Sequence, residues 1–334
     1  MNIRLLMLPL SYLYGQIQAF RRTLFDRKIL TSHRLPNQVI SVGNLEVGGT
    51  GKSPVTVAIA NYLLKQGFHP VIVTRGYRSG LDADDNAVLL DRELVLTPQS
   101  GKDFHADEAR MQSALLPSVP VIIGAKRIDA CRRFLAHFPE PTHWLLDDGF
   151  QHCQIKRDLD IVLLDADRPL DNGHVIPCGR LREFPGTLER ADIILLTRAR
   201  SNQVPPVLQN FRDRIRFSTF EHKSLNVVHS SRSGEPFPTQ DLAVITGIAK
   251  PQKLLTSVQE LGLGISQTHI VRDHEPFRLR EIKDKIKNCR AVLTTEKDYF
   301  RDPSIFDELS IPVATLPLSA DIQEIHKSLV LSAT

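Results

Sequence analysis

Lys52 and Ser53 follow Gly48-Gly49-Thr50-Gly51, an order of residue types suited to holding a polyanion. Closely spaced glycines let consecutive backbone N–H groups turn inward around phosphate oxygens. The lysine ammonium adds a point charge for the outer phosphates, and the serine hydroxyl can reach Mg²⁺. The cradle runs through Glu46, Val47, Gly48, Gly49, Thr50, Gly51, Lys52 and Ser53, and departs from GxxxxGK[ST] only in having Glu46 where glycine is usual. Such a loop uses a nucleoside triphosphate with a divalent cation, so carboxylates that hold metal or accept a proton are expected near it.

Two acidic pairs qualify. Asp147-Asp148 ends the apolar run His143-Trp144-Leu145-Leu146, where this class of fold keeps a metal-binding carboxylate; the alternative is a solvated strand end that caps a helix. Asp107-Glu108 opens a helical stretch after Phe104-His105-Ala106, where acids also occur for capping alone, and spacing does not choose between the two. Gly149-Phe150-Gln151-His152 follows the first pair directly and places an amide and an imidazole near a phosphate or sugar hydroxyl. Arg75-Gly76-Tyr77 offers a cation and an aromatic face. His274 stands far along the chain, and nothing local makes it catalytic.

These residues need strands and helices to hold them. Asn37 to Val42 reads as a buried strand before the loop, and Val55 to Gln66 as a helix after it, with Gly67 as a stop. The helix start directs its positive end and its unsatisfied N–H groups at the phosphates. Further apolar runs at 70–74, 119–124, 143–146, 159–165 and 192–197 alternate with helical patterns at 108–116 and 127–138. The fold class expected is α/β: a P-loop NTPase-like, mostly parallel sheet with helices on both faces, and a smaller α/β second lobe. Ligands of such sheets bind at the carboxyl ends of the strands, where the loop, Arg75, Asp147 and Asp148 all fall. The pattern weakens at 202–206, and 217–238 is polar and turn-rich. The expected division is an N-terminal helix at 1–28, a P-loop domain at 29–215, a linker at 216–240 and a small lobe at 241–334, with closure over substrate.

With 334 residues, 42% of them hydrophobic, the chain can bury one large core or two modest ones. A formal charge of +4 is too slight to imply a nucleic-acid partner. Cys131, Cys153, Cys178 and Cys289 show neither a C-x-x-C pair nor metal-type spacing, so reduced thiols in a reducing compartment are expected.

The amino end differs from the rest. Leu5 to Phe20 carries no charge, while Arg4 precedes it and Arg21, Arg22, Arg27 and Lys28 follow. Leu6, Leu10, Leu13, Ile17 and Phe20 share a helical stripe, with Tyr12 and Tyr14 as interfacial anchors. The stretch is short of the ~20 apolar residues a spanning helix needs. A helix lying in the membrane surface fits it, with a helix packed on the domain as the competing reading; a cleaved signal peptide would separate the loop from its nucleotide.

Taken together, these strings resemble the tetraacyldisaccharide 4′-kinases, the lipid A 4′-kinases of Gram-negative bacteria. The resemblance is carried by Ser41 to Pro54, Thr74-Arg75-Gly76-Tyr77, Ala106-Asp107-Glu108-Ala109, Leu146 to His152, Pro177 to Glu183, Thr246 to Pro251, Asp273-His274 and Thr295 to Asp298. Cys178 stands where that family usually has a small residue. The resemblance implies transfer of the γ-phosphate of ATP to the 4′-hydroxyl of a tetraacylated glucosamine disaccharide 1-phosphate, giving lipid IVA, at the cytoplasmic face of the inner membrane. It implies that Asp107 is the base toward the sugar hydroxyl and that His274 pairs with it from the other lobe. It also implies that Glu108, Asp147 and Asp148 serve Mg²⁺ together with Ser53, and that Arg75, Tyr77, Arg127, Gln151, His152 and Arg182 contact substrate or phosphate. The glycine-rich loop alone would also suit an ATP-dependent ligase, a GTPase-like metal chaperone or a nucleotide-switched membrane scaffold.

Overall fold

Apolar runs without a polar interruption become strands covered on both faces, and the positions that carry chemistry lie where those strands end. The computed structural model describes residues 7–77, 79–222, 224–229, 236–272 and 275–330. The chain divides into two units: Met1–Phe220 with Ala320–Thr334, and Glu221–Ser319.

The larger unit begins with α1 (Leu8–Asp26), β1 (Gln38–Asn44), α2 (Lys52–Lys65), β2 (Pro70–Thr74), β3 (Asn86–Leu90) and β4 (Glu93–Leu96). It continues with α3 (Asp107–Leu115), β5 (Val121–Gly124), α4 (Arg127–Leu135), β6 (His143–Asp147), β7 (Leu159–Asp165), β8 (Ile193–Thr197) and β9 (Ile215–Ser218). These strands form one nine-stranded sheet in the order β4-β3-β5-β2-β6-β1-β7-β8-β9. All its pairings are parallel except the two made by β3. Val55, Ile59 and Leu63 of α2 and Ala109 of α3 pack on Ile40, Val42 and Ile72 on one face. Ile128, Cys131 and Phe134 of α4 pack on Val39, Val73 and Trp144 on the other. The hairpin β3–β4 had no clear sequence signal, because it is short and β4 is half exposed at the sheet edge.

The register positions the site. Val42 of β1 pairs with Asp147 of β6, so the acidic strand end lies beside the strand that delivers the glycine-rich loop. β1 is flanked by β6 on one side and β7 on the other, which is the interior position ligands favour in an open α/β sheet.

Leaving the larger unit, the chain forms β10 (Phe220–His222), β11 (Asn226–His229), β12 (Leu242–Thr246), α5 (Pro251–Glu260), β13 (Ile265–Ile270) and α6 (Leu279–Lys285). Then come β14 (Ala291–Thr294), α7 (Glu296–Arg301), α8 (Pro303–Asp307), β15 (Val313–Thr315), β16 (Leu318–Ala320) and α9 (His326–Val330). The smaller unit has a five-stranded sheet, β11-β15-β14-β12-β13. Two differences from the expected boundaries stand out. The stretch expected as a linker, 216–240, holds most of β9 and all of β10 and β11; these strands are short and only partly buried, so they lack the continuous apolar run that marks a core strand. The end of the chain returns to the larger unit, where Ile322, Ile325 and Leu329 join the core under α2 and the His326 ring stacks on Tyr62 at 3.9 Å.

The amino-terminal helix packs by its small side chains. Ser11 and Gly15 of α1 are buried, and a Cβ on Gly15 would lie 2.2 Å from the Phe184 ring. The Ser11 hydroxyl accepts the Cys178 N–H at 2.9 Å. The apolar stripe points the other way: Leu10, Tyr12, Leu13, Ile17 and Phe20 are each more than half exposed. Arg4 and Leu6 lie outside the described residues. Among the described residues, no helix is long and apolar enough to cross a membrane.

Candidate active site

The loop between β1 and α2 is built by tying its carbonyls outward. The Val47 carbonyl accepts from the Arg180 guanidinium at 2.8 and 3.3 Å, and the Val47 N–H donates to the Arg180 carbonyl at 2.8 Å. The Asn44 amide donates to the Gly48 carbonyl at 3.3 Å and to the Thr50 hydroxyl at 2.9 Å. The Thr197 hydroxyl at the end of β8 donates to the Thr50 carbonyl at 2.9 Å, and Arg198 reaches the Gly49 carbonyl at 3.5 Å. With the carbonyls held from outside and the first-turn N–H groups of α2 lacking intrahelical acceptors, the concave side is left to donors.

Gly51 sits at φ +91°, which L side chains rarely adopt, and the Phe220 ring closes on it so tightly that a Cβ would lie 2.3 Å away. Glu46 does not need that freedom. It is buried, has no positive φ and bridges Leu181 in antiparallel fashion, which accounts for a non-glycine at the first motif position.

Asp147 and Asp148 are neighbours in sequence with opposite surroundings. Asp147 is buried at the end of β6, where Gln112 of α3 donates to Oδ2 at 2.7 Å while Oδ1 makes no hydrogen bond. Burial, reinforced by the charge of Glu108, pushes its carboxyl up to about 6 against the pull of Lys52. Asp148, at φ +52°, turns out of the strand and faces cations. Lys52 lies 3.6 Å from Oδ1, and one Arg182 nitrogen donates to both carboxylate oxygens at 2.8 Å. Burial alone would raise the Asp148 carboxyl, but Lys52 and Arg182 hold it below the usual range.

Around this pair the remaining expected residues divide. Arg182 also donates to Gln151 Oε1 at 3.3 Å, and Gln151 Nε2 donates to the Asn44 carbonyl at 3.0 Å, so Gln151 spans from the loop strand to Arg182. Arg127 is buried behind the pair and donates to the Asp148 carbonyl at 3.2 Å. Burial draws its guanidinium below its usual value, opposed by both aspartates. His152 is half-buried, and burial followed by the charges of Arg127, Arg157, Arg21 and Arg75 drives it down to about 3, so it is a neutral imidazole at physiological pH. Arg75 and Tyr77 are exposed after β2. Asp107 and Glu108 are half-buried in the first turn of α3, the helix that also carries Gln112. His274 lies outside the described residues.

The side chains that could hold a divalent cation carry hard oxygen donors: the Ser53 hydroxyl in the first turn of α2, the Glu108 carboxylate, and Asp147, whose Oδ1 makes no hydrogen bond. Among the described residues no three His, Cys, Asp or Glu side chains converge as a metal cage. Asp148, the fourth residue expected at the metal, is ion-paired with Lys52 and Arg182. That composition suits Mg²⁺, which takes one or two carboxylates and completes its shell with water and phosphate oxygens.

Sequence reasoning missed Asn44, Gln112, Arg180, Thr197, Arg198 and Phe220. Arg180, Thr197 and Arg198 each meet the loop across more than 130 positions of chain, beyond any local period. The one available signal was that Thr197-Arg198 ends a buried strand, as Asp147-Asp148 does.

The LpxK family model, described as tetraacyldisaccharide-1-P 4′-kinase, matches residues 3–334. A tetraacyldisaccharide 4′-kinase of Pelobacter propionicus is 36% identical over 88% of this chain and 81% of its own. One from Chlorobium chlorochromatii is 33% identical over 96% and 90%. A crystal structure of "apo" form LpxK from Aquifex aeolicus in complex with ATP superposes with a TM-score of 0.73 at 25% identity, covering 98% of each chain.

Proposed function

The chain belongs to the tetraacyldisaccharide 4′-kinase family, and from that premise we infer how its residues divide the work of moving the γ-phosphate of ATP to the 4′-hydroxyl of tetraacyldisaccharide 1-phosphate. The observation that carries the reading is the contact of Lys52 with Asp148, which joins the phosphate loop to the acidic end of β6.

The loop amides from Gly48 to Ser53 bind the β- and γ-phosphates, and Lys52 leaves Asp148 to meet the γ-phosphate as it becomes more negative. Arg182 retains Asp148 when Lys52 turns away, so the carboxylate never becomes an unpaired charge. Ser53, Asp147 and Glu108 would hold Mg²⁺, which when bound supplies positive charge to the phosphates. Gln112 engages the Asp147 carboxylate through Oδ2, which leaves Oδ1 for the metal. Asp107 takes the proton of the 4′-hydroxyl as its oxygen bonds to the γ-phosphorus. The bond to the β–γ bridging oxygen breaks, and ADP leaves with that electron pair.

A four-chain lipid stays in the bilayer, because each buried CH₂ contributes about 0.8 kcal/mol. The outward stripe Leu10, Leu13, Ile17 and Phe20 with Tyr12 gives the kinase a way to reach it at the cytoplasmic face of the inner membrane. A fully buried side chain of this size contributes about 1.5–3 kcal/mol, so partial insertion of five amounts to several kcal/mol.

Transfer of labelled γ-phosphate to the lipid disaccharide tests the chemistry. Asp107→Ala is expected to lower kcat by about 10²–10⁴, the range for losing a positioned base. Near-normal kcat at saturating Mg-ATP would remove Asp107 from that role. Ile17→Glu is expected to cut partitioning onto vesicles while leaving ATP affinity intact; unchanged partitioning would remove α1 from the membrane account.

A further inference from the structure

Gln112 is fully buried on α3, 35 positions before the carboxylate it meets. Its amide Nε2 donates to Asp147 Oδ2 at 2.7 Å. The amide cannot turn over, because a carboxylate only accepts and would then face the amide oxygen. The pair leaves two buried acceptors without a hydrogen bond, Gln112 Oε1 and Asp147 Oδ1. Unpaired buried acceptors are costly, and both are of the kind that Mg²⁺ uses, a carboxylate directly and an amide oxygen through a water of the metal shell. The next residue shows why the partner is an amide. Asp148 is ion-paired with Lys52 and Arg182, so its charge is balanced within the chain. Gln112 is neutral, so it orients Asp147 and leaves the negative charge for a cation.

The helix gives this contact a second consequence. Glu108 stands in the first turn of α3, one turn before Gln112 on the same face. The hydrogen bond therefore fastens the helix of Glu108 to the strand end of Asp147 and holds two of the carboxylates read as metal ligands on one frame. We propose that Gln112 is a positioning residue which, acting through Asp147, sets the affinity of the site for Mg²⁺. This rests on the reading that Asp147 holds the metal. The helix has another anchor beside it, since the Ser113 hydroxyl accepts the Arg92 N–H at 2.8 Å. Removing the Gln112 amide thus loosens the carboxylate while α3 keeps its seat between the sheet and the β3–β4 hairpin.

The test uses the full chain in detergent micelles with Mn²⁺ as a spectroscopic probe, titrated in the presence of ADP and followed by electron paramagnetic resonance. Gln112→Met keeps the side-chain volume and removes the amide. It is expected to raise the Kd for Mn²⁺ about tenfold to a hundredfold, the range for losing the partner that orients a metal ligand. The Mg²⁺ concentration giving half-maximal transfer of labelled phosphate should rise by a similar factor. Binding of ADP in the presence of EDTA should stay near the wild-type value, because the loop amides are untouched. An unchanged Kd for Mn²⁺ would overturn the proposal, and so would an equal loss of metal-free ADP binding, which a general distortion of the site would produce. A double-mutant cycle adds the decisive readout. In an Asp147→Asn background, Gln112→Met should change the Kd for Mn²⁺ by no more than about twofold, since the carboxylate through which it acts is gone. Full additivity of the two losses would overturn the proposal by showing that Gln112 acts elsewhere. Asp147→Asn with wild-type Mn²⁺ affinity would remove the metal reading of Asp147 itself, and this proposal with it.

Discussion

In both units a buried parallel strand runs into a glycine-containing turn and then a helix: β1 into Gly48–Gly51 and α2, β12 into Gly247–Lys250 and α5. The two turns are satisfied in opposite ways. In the smaller unit a carboxylate of the chain fills the turn. Asp298, fully buried, accepts the Gly247 N–H at 3.1 Å, the Thr246 hydroxyl at 2.6 Å and the Thr295 hydroxyl at 2.8 Å, and pairs with Arg301. In the larger unit the neighbours Asn44, Arg180, Thr197 and Arg198 take the carbonyls of the turn and leave its donors for an anion from outside. Topology alone therefore does not make a phosphate site. The deciding question is whether an internal acid already occupies the amides.

The comparison is sharpest at the charged residue of each turn. Lys52→Ala should lower kcat/KM by on the order of 10³-fold or more, comparable with other cations that stabilise phosphoryl transfer, with little change in thermal unfolding. A modest loss in the labelled-phosphate assay would mean that the loop amides suffice without it. Asp298→Ala should act on stability instead. It removes the carboxylate that pairs with Arg301, whose side chain is 7% exposed, at a cost of about 3 kcal/mol or more. Hydrogen exchange at Leu242–Thr246 would report this, and unchanged protection there would break the contrast.

Paired glycine variants give the smallest expected effect. Gly51→Ala forces a Cβ into a left-handed position against Phe220, costing about 1–3 kcal/mol, and should weaken ATP binding by about tenfold in calorimetry. Gly247→Ala meets the Val271 side chain at 2.7 Å and Arg301 at 2.8 Å, so it should lower the stability of the smaller unit and leave ATP affinity unchanged. If Gly247→Ala weakened ATP binding as much as Gly51→Ala, the two turns would not be functionally distinct.

What the sequence made readable was local and strongly patterned. Strands such as Ile193–Thr197 and Leu159–Asp165 are continuous apolar runs, and the glycine loop has its chemistry in consecutive positions. Arg75, Asp147 and Asp148 could be placed at strand ends because period and position coincide there. Less visible was whatever depends on a distant partner. Nothing in Asp147-Asp148 foretells that Gln112 would hold the first residue and Lys52 with Arg182 the second. The stripe on α1 was apparent from its period, but its outward direction depends on Phe184 and Cys178 seating Ser11 and Gly15. The stretch around β9 to β11 read as linker because short, half-exposed strands carry polar residues, and the docking of 322–329 on the larger core is too brief for a periodic signal.

The ribbon of β10 and β16 carries one more consequence. The Asp321 N–H donates to the Thr219 carbonyl at 2.9 Å and the Ser319 hydroxyl to the Glu221 carbonyl at 3.3 Å, so the outgoing and returning segments meet side by side. The ninety-odd residues from Glu221 to Ser319 are thus an inserted cassette with adjacent ends, a placement typical of tolerated domain insertion. Replacing that cassette with a tight hairpin would keep every strand of the nine-stranded sheet and its C-terminal closing segment on one continuous polypeptide. A minimal nucleotide-binding scaffold is in this sense already encoded in the outer segments of the gene.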